Sequence, residues 1–163
     1  MAAVPLPEPD SQVRRIAVDV DGALGDTRPL WRAWLTDAAR RLRIEELAEL
    51  ADDRVLAAAE LDKRVGNWRV LLERFAEDNA PVHLRPGAES SAALRRLQTA
   101  GVRIGAWSDG PEELVAVALA HLGAARRLEA VECGDAALER LLVRLGPGAV
   151  VVRTPDELRA AAA

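Results

Sequence analysis

Short apolar segments of strand length alternate with helix-like segments along most of this chain, and this alternation limits the folds that it can adopt. Runs of apolar residues typical of buried strands occur at residues 15–19, 102–107, 128–133 and 149–152. One helical pattern precedes the second strand and one follows each of the last three strands, at residues 89–100, 111–122, 136–145 and 156–162. Strands separated by helices favour a parallel sheet with helices on both faces. The sequence therefore predicts an α/β fold with a doubly wound parallel sheet.

The longest interval between two predicted strands has a helical pattern and divides the chain. Its apolar residues recur at spacings of three and four, as an amphipathic helix requires, at Leu30, Trp31, Trp34, Leu35, Ala38 and Leu42. Further helices are predicted at residues 53–65 and 68–77, and Pro81 is predicted to end the region. We therefore predict three parts, which are a flexible N-terminal tail at 1–12, an α/β core at 13–28 and 84–163, and a helical cap at 29–83.

Composition and charge exclude several classes of protein. A net charge of −4 argues against a nucleic-acid-binding surface, because phosphate contacts need clustered cations. The single cysteine, Cys133, excludes an intramolecular disulfide and a cysteine-based zinc site. No segment approaches the roughly 18 apolar residues of a membrane helix, and the first residues lack the pattern of a signal peptide. We expect a cytoplasmic protein that binds neither nucleic acid nor membrane.

Two carboxylates follow the first predicted strand at a spacing that suits phosphoryl transfer. Asp19 and Asp21 leave the strand at positions i and i+2, so both carboxyl groups can point into one pocket. One carboxylate can attack phosphorus and form an acyl phosphate, while the other protonates the leaving oxygen and later accepts a proton from water. Ser108 ends the second strand and is expected at the same sheet edge, where ligands of open parallel sheets bind. A plain turn with Gly22 at positive φ is the alternative interpretation.

These residues belong to longer segments with a family resemblance. The segment from Asp19 to Thr27, DVDGALGDT, resembles the first motif of the haloacid dehalogenase-like hydrolases, D-x-D-G-T-L followed by D-T, with Ala23 in place of threonine. Residues 104–110, IGAWSDG, resemble the second motif, a Ser or Thr that closes a hydrophobic strand. Residues 84–88, LRPGA, resemble the segment that leads from the cap back to the core. The resemblance covers most of residues 14–160.

The resemblance implies a mechanism and a role for each site residue. Asp19 would be the nucleophile and Asp21 the general acid and base. Phosphoryl oxygens would be bound by Ser108, together with Asp109 and Gly110. Mg²⁺ would lie against Asp19 and the carbonyl oxygen of Asp21, with Asp156 as a candidate further ligand. The implied protein is a Mg²⁺-dependent phosphomonoesterase that acts on a small phosphorylated metabolite through an aspartyl-phosphate intermediate.

The chain departs from the later motifs of that family. The third motif supplies a lysine or arginine, but residues 132–137, ECGDAA, contain no cation, and the only lysine, Lys63, falls in the predicted cap. The fourth motif presents acids after the last strand, where this chain has Thr154 in the segment TPDE. That segment is also a good helix-capping box. Since Mg²⁺ prefers anionic oxygen to a neutral hydroxyl, we expect Mg²⁺ to bind weakly.

Two other functions remain as alternatives. One is a catalytically impaired relative that binds a phosphorylated ligand or a protein partner, which the missing cation and acid favour. The other is a phospho-accepting receiver domain, which also carries an acidic cluster on a doubly wound sheet. The receiver fits less well, because a helical insertion follows the first strand and the expected core lysine is missing.

Overall fold

A computed structural model describes residues 13–50 and 52–163, so the predicted tail at residues 1–12 lies outside the described residues. One parallel sheet is formed in this part of the chain by β1 (Arg15–Asp19), β2 (Arg103–Ser108), β3 (Ala130–Cys133) and β4 (Val150–Val152). Its strand order is β3-β2-β1-β4, and β1 pairs with both β2 and β4 in parallel. The predicted α/β fold with a parallel sheet is confirmed.

Helices cover the sheet and fill the interval between β1 and β2. The α-helices of the described residues are α1 (Arg28–Leu42), α2 (Arg54–Arg64), α3 (Trp68–His83), α4 (Ala88–Thr99), α5 (Glu112–His121), α6 (Ala137–Leu145) and α7 (Pro155–Ala162). Short 3₁₀-helices occur at Glu45–Glu49 and Ala125–Arg127. None of the helices in this part of the chain is both long enough and apolar enough to cross a membrane.

Alternate residues of β1 face two separate cores, as strand geometry requires. Ile16 and Val18 belong to the larger hydrophobic core, which also contains buried residues of α1–α5 and α7. Ala17 belongs to a smaller core on the other face, where Leu141 and Leu145 of α6 cover the sheet. Because helices pack on both faces, the carboxyl ends of the strands are the open edge at which a ligand site can form.

A cluster of three tryptophans joins α1 to α3. The ring centroids of Trp31 and Trp34 lie 5.4 Å apart, and those of Trp34 and Trp68 lie 5.9 Å apart. All three side chains are buried, as their spacing on apolar helix faces predicts. Their packing holds α1 against α3.

The structure corrects the predicted end of α3. The helix continues past the predicted end at residue 77 to His83, and Pro81 lies inside it. A proline inside a helix removes one hydrogen bond and its ring crowds the carbonyl four residues earlier, but the donors that follow Pro81 still find their acceptors. Leu84 N, for example, donates to Ala80 O at 2.8 Å.

Candidate active site

The turn after β1 positions the first motif. Val20–Leu24 forms one turn of π-helix, in which Gly25 N donates to Val20 O at 2.9 Å. Gly22 does not have a positive φ, but a Cβ atom on it would lie only 2.2 Å from the carbonyl oxygen of Arg153. Close approach of the backbone after β4, rather than an ordinary turn with positive φ, therefore explains the glycine.

Asp21 has a fully bonded carboxylate at the carboxyl edge of the sheet. Its Oδ1 accepts hydrogen bonds from Thr27 N at 2.9 Å and from Thr27 Oγ1 at 2.5 Å. Its Oδ2 accepts from Ser108 Oγ at 2.8 Å and from Arg54 Nη2 at 2.6 Å. The structure thus brings Asp21 and Ser108 together, as their positions at two strand ends predict. Thr27, a residue of the same motif, orients Asp21 through its two hydrogen bonds.

Asp19 ends β1 beside Trp107 of β2, and it faces an open cleft. The cleft has a volume of about 530 Å³, and its walls include Asp19, Asp21, Trp107 and residues 134–139. Burial raises the pKa of Asp19 above its ordinary value, and the charge of Asp21 adds to the rise, although backbone N–H groups of Gly22 and Asp21 partly oppose it. Asp19 is therefore the carboxylate of this site that is accessible to a ligand.

Arg54 reaches the site from the helical segment that precedes β2. The N-cap of α2 is Asp53, whose carboxylate accepts from Leu56 N at 3.0 Å, so Arg54 is the first residue of the helix. Its guanidinium donates to Thr27 Oγ1 at 2.6 Å and to Ser108 Oγ at 3.3 Å, in addition to Asp21. Arg54 is only 2% exposed. It brings a buried positive charge to the Asp21 carboxylate.

Sequence reasoning missed Arg54, although one signal was present. A cation at the first position of a helix opposes the helix dipole, so an arginine placed there directly after an Asp cap indicates a partner elsewhere. The partners come from β1, β2 and the segments that follow them, and Asp21 is 33 positions away in sequence. Local patterns contain no information on that distance.

Asp109 and Gly110, the other residues predicted to bind phosphate, lie beside this arginine. The Asp109 carboxylate also accepts a hydrogen bond from Arg54, although 60% of its side chain is exposed. Gly110 N donates to Ser108 Oγ at 3.1 Å. A Cβ atom on Gly110 would lie 2.8 Å from Arg54 Nη1. The predicted phosphate-binding segment and Arg54 therefore share one side of the cleft.

The environment of Asp21 keeps its carboxylate charged. Burial acts to raise its pKa, but the Arg54 guanidinium and the hydrogen bonds from Thr27 and Ser108 outweigh burial and lower the pKa below the ordinary value. The order of the two pKa values is the reverse of what the implied roles need, since a nucleophile should be ionised and a general acid protonated. Acid catalysis by Asp21 would first require Arg54 to move away.

Residues at the end of β4 act as a helix cap. Thr154 Oγ1 accepts from Glu157 N at 3.1 Å, and the Glu157 carboxylate accepts from Arg153 N at 2.6 Å. This is the predicted capping box at the start of α7. Asp156, the predicted third metal ligand, has a side chain that is 82% exposed and forms an ion pair with Arg159. It is not among the residues that line the cleft.

The side chains at this edge do not fit a Mg²⁺ site. Mg²⁺ binds hard, mainly anionic oxygens in near-octahedral geometry. Within residues 13–50 and 52–163, no three His, Cys, Asp or Glu side chains are grouped to hold a metal ion. The residues that follow β4 are Arg153 and Thr154 instead of an acid. Asp156 in particular is not grouped with Asp19 in the described residues.

Comparison with known proteins finds similarity at the level of structure. No protein-family model matches the chain, and no curated protein matches it. CbbY from Rhodobacter sphaeroides, in complex with phosphate, is 19% identical with a TM-score of 0.63, over 86% of this chain and 77% of that one. A CbbY variant from the same organism in complex with xylulose-(1,5)bisphosphate is 20% identical with a TM-score of 0.62, over 86% and 77% of the two chains. HAD phosphatase from Thermococcus onnurineus is 19% identical with a TM-score of 0.54, over 91% and 97%. At these identities the similarity concerns the fold.

Proposed function

We propose that this chain, which has the haloacid dehalogenase-like fold, is a hydrolase of small phosphorylated metabolites that forms an aspartyl-phosphate at Asp19. One observation carries the proposal. Asp19, Asp21 and Ser108 meet at one edge of the parallel sheet, where the Ser108 hydroxyl is 2.8 Å from Asp21 and Asp19 faces the cleft. Structural neighbours support it, because one is a phosphatase and another is bound to phosphate.

Each step of the reaction can be assigned to a residue. The Asp19 carboxylate attacks phosphorus, a new O–P bond forms to Asp19, and the ester O–P bond to the leaving group breaks. Asp21 donates its proton to the leaving oxygen and then takes a proton from the water that hydrolyses the acyl phosphate. The Ser108 hydroxyl, whose proton goes to Asp21 Oδ2 in the structure, turns to donate it to a phosphoryl oxygen. Because Asp21 is ionised next to Arg54, it must release Arg54 and take up a proton from solvent before it can donate one in the first step.

In this proposal the helical segment at residues 29–83 is a cap over the core at 13–28 and 84–163. The contact of Arg54 with Asp21 supports it, since the N-terminal end of α2 reaches the residues at the sheet edge. A second cavity of about 760 Å³ lies between α2 and residues 109–112 and 131–135. Cavities of this size accommodate small metabolites. We assign the leaving group of the substrate to this cavity.

A specific observation favours the second candidate function, a catalytically impaired protein that binds a phosphorylated ligand. Arg54 holds Asp21 in its charged form, and Thr154 stands where the fourth motif would supply an acid. In this function Asp19 is not phosphorylated. The cleft still binds the phosphoryl group through Ser108 and Arg54.

Turnover measurements separate the two candidates. Phosphate release from a panel of phosphorylated metabolites is measured with and without Mg²⁺, beside an Asp19→Asn control. The hydrolase proposal expects release that Asp19→Asn abolishes. Ligands that shift the melting temperature of both proteins without any release support the impaired binder. Release that Asp19→Asn leaves unchanged would contradict an aspartyl-phosphate at this position.

A further inference from the structure

A cation of the protein lies where the predicted phosphate-binding residues converge. The Arg54 guanidinium contacts the hydroxyl groups of Thr27 and Ser108 and the carboxylates of Asp21 and Asp109. Its Nη2 atom lies 3.3 Å from Ser108 Oγ, the hydroxyl predicted to bind a phosphoryl oxygen. A guanidinium presents several donors in one plane and matches phosphate oxygens well. It is therefore placed to bind the ligand as well as Asp21.

Three other cations of the described residues are less suited to this role. The charge of Arg153 lowers the pKa of Asp19, but Arg153 is exposed and its guanidinium carbon lies 5.4 Å from the centroid of the Trp107 ring. Lys63 is exposed and pairs with Glu60 at 3.2 Å. Arg28 lines the cleft, but it is more than half exposed and forms an ion pair with Asp26 at 2.7 Å. Arg54 is buried, so its charge is screened less by water and salt than that of an exposed arginine.

The contacts of Arg54 also show how a ligand can enter. Asp109 has the most exposed side chain among the partners of Arg54, since 60% of it is accessible, whereas Asp21 is only 10% exposed. A phosphoryl oxygen can replace the Asp109 carboxylate at Arg54 while Asp109 turns to water. The bond from Arg54 to Thr27, which is 2.6 Å long, can remain. The ligand then exchanges one anionic partner of the guanidinium for another.

We propose that Arg54 supplies the cation of this site and that the site binds a phosphoryl group without a divalent metal. This inference rests on the proposed function, in which the cleft takes phosphorylated ligands. It explains together two differences between this chain and the motifs that it resembles. Neither the missing cation after β3 nor the missing acid after β4 is needed when a buried arginine offsets the charge of the carboxylates and of the phosphoryl group.

Phosphate binding tests the proposal directly. Inorganic phosphate is titrated into the unmodified protein by calorimetry, once in EDTA and once in excess Mg²⁺, and the two dissociation constants are expected to agree within about twofold. Arg54→Gln should weaken binding about tenfold or more, as expected for loss of a charge-assisted hydrogen bond. Arg54→Lys keeps the charge but not the planar donors, so its dissociation constant should lie between those of the unmodified protein and Arg54→Gln. Arg64→Gln, at the exposed end of the same helix, is the matched control and should bind as the unmodified protein does.

Several outcomes would overturn the proposal. Binding that disappears in EDTA would show that a metal supplies the cation, and binding that Arg54→Gln leaves equal or tighter would show that Arg54 only blocks the site. If Arg54→Gln fails to fold, which circular dichroism reports, the EDTA comparison and Arg54→Lys decide the question. Absence of phosphate binding in both conditions contradicts the proposed function itself. Binding that depends on Mg²⁺ contradicts only this inference.

Discussion

Two aspartates that are separated by a single residue have opposite electrostatic environments. Asp19 faces the cleft with a pKa raised mainly by burial. Asp21 is more deeply buried, yet Arg54, Thr27 and Ser108 lower its pKa. Hydrogen bonds and one buried cation therefore outweigh desolvation at Asp21 but not at Asp19. Ionisation of Asp21 should therefore stabilise the folded protein, and ionisation of Asp19 should destabilise it.

We expect Asp21→Asn and Asp19→Asn to change the pH dependence of stability in opposite directions. The folded-state pKa of Asp21 lies below 3.8, so the stability that its charge provides is complete above that value and is lost as pH falls through the lowered pKa. Asp19 has a raised folded-state pKa, so its contribution is present below pH 3.8 and is lost as pH rises through the raised value. The loss of unfolding free energy caused by Asp21→Asn should therefore be larger at pH 7 than at pH 3. The loss caused by Asp19→Asn should be larger at pH 3 than at pH 7.

Denaturant titrations of the three proteins at pH 3, 5 and 7 measure these differences. Each variant provides the control for the other, since both replace a carboxyl group by an amide in the same turn. If the loss of unfolding free energy changed with pH in the same direction in both variants, the two environments would not be opposed.

Thr154 allows a second test at single-residue scale. Its hydroxyl accepts the hydrogen bond from Glu157 N that begins α7, so Thr154→Ala should lower the free energy of unfolding by about 1 kcal/mol. Thr154→Asp keeps a capping oxygen and should change it by less than about 0.5 kcal/mol. Urea denaturation at pH 7 measures both values. Equal losses in the two variants would show that the capping oxygen at residue 154 is not what stabilises the start of α7.

At the scale of elements, the tryptophan cluster between α1 and α3 contains two indoles with different hydrogen bonding. Trp68 Nε1 donates to Asp62 Oδ1 at 2.8 Å, whereas Trp31 Nε1 is buried with no hydrogen-bond partner among the described residues. Both rings are almost completely buried. The same substitution at the two positions therefore removes similar packing but a different number of hydrogen bonds.

We expect Trp68→Phe to destabilise the protein by about 1 kcal/mol more than Trp31→Phe, which is the typical net value of one hydrogen bond. Thermal or urea denaturation of the two variants gives the difference. Trp31→Ala, which removes the whole ring, should cost about 3–5 kcal/mol and serves as a control that the position is packed. A larger loss in Trp31→Phe than in Trp68→Phe would mean that packing differences decide the result.

The elements of the core could be predicted from the sequence because their signals are local. Apolar runs mark the strands, and the end of a parallel strand places its last polar residue at a known edge, so Asp19 and Ser108 could be assigned to one site. The end of α3 differs from the prediction because Pro81 is the third-last residue of the helix, where few hydrogen bonds remain for it to disturb. Arg54 could not be found, because its position follows from the packing of α2 over the sheet edge and not from its neighbours in sequence.

At the scale of the whole molecule, one buried arginine links the helical segment to the carboxyl edge of the sheet. The tryptophan cluster fixes α1 and α3 to each other, while the N-terminal end of α2 reaches Asp21 and Ser108 through Arg54. Removing one partner of a buried ion pair costs about 3–5 kcal/mol, because the other charge stays buried and unpaired. The loss should be concentrated in α2.

We therefore expect Arg54→Gln to increase amide hydrogen exchange in Arg54–Arg64 while β1 and β2 remain protected. Local opening of one element at a free energy below that of global unfolding is the physical reason. Hydrogen exchange followed by mass spectrometry resolves the two regions, and Arg64→Gln controls for loss of an exposed arginine. A uniform increase over helix and sheet would mean that Arg54 stabilises the molecule as a whole.

The location of the aromatic side chains determines how this protein emits light. The chain has four tryptophans and no tyrosine, so its ultraviolet fluorescence comes from indole alone. Three of the emitters are enclosed in the helical segment, but Trp107 is part of the wall of the cleft beside Asp19, and the Arg153 guanidinium carbon lies 5.4 Å from its ring centroid. An anion in the cleft changes the field at that one indole and leaves the other three unaffected. Ligand entry can therefore be followed without a label, as a spectral change that Trp107→Phe removes.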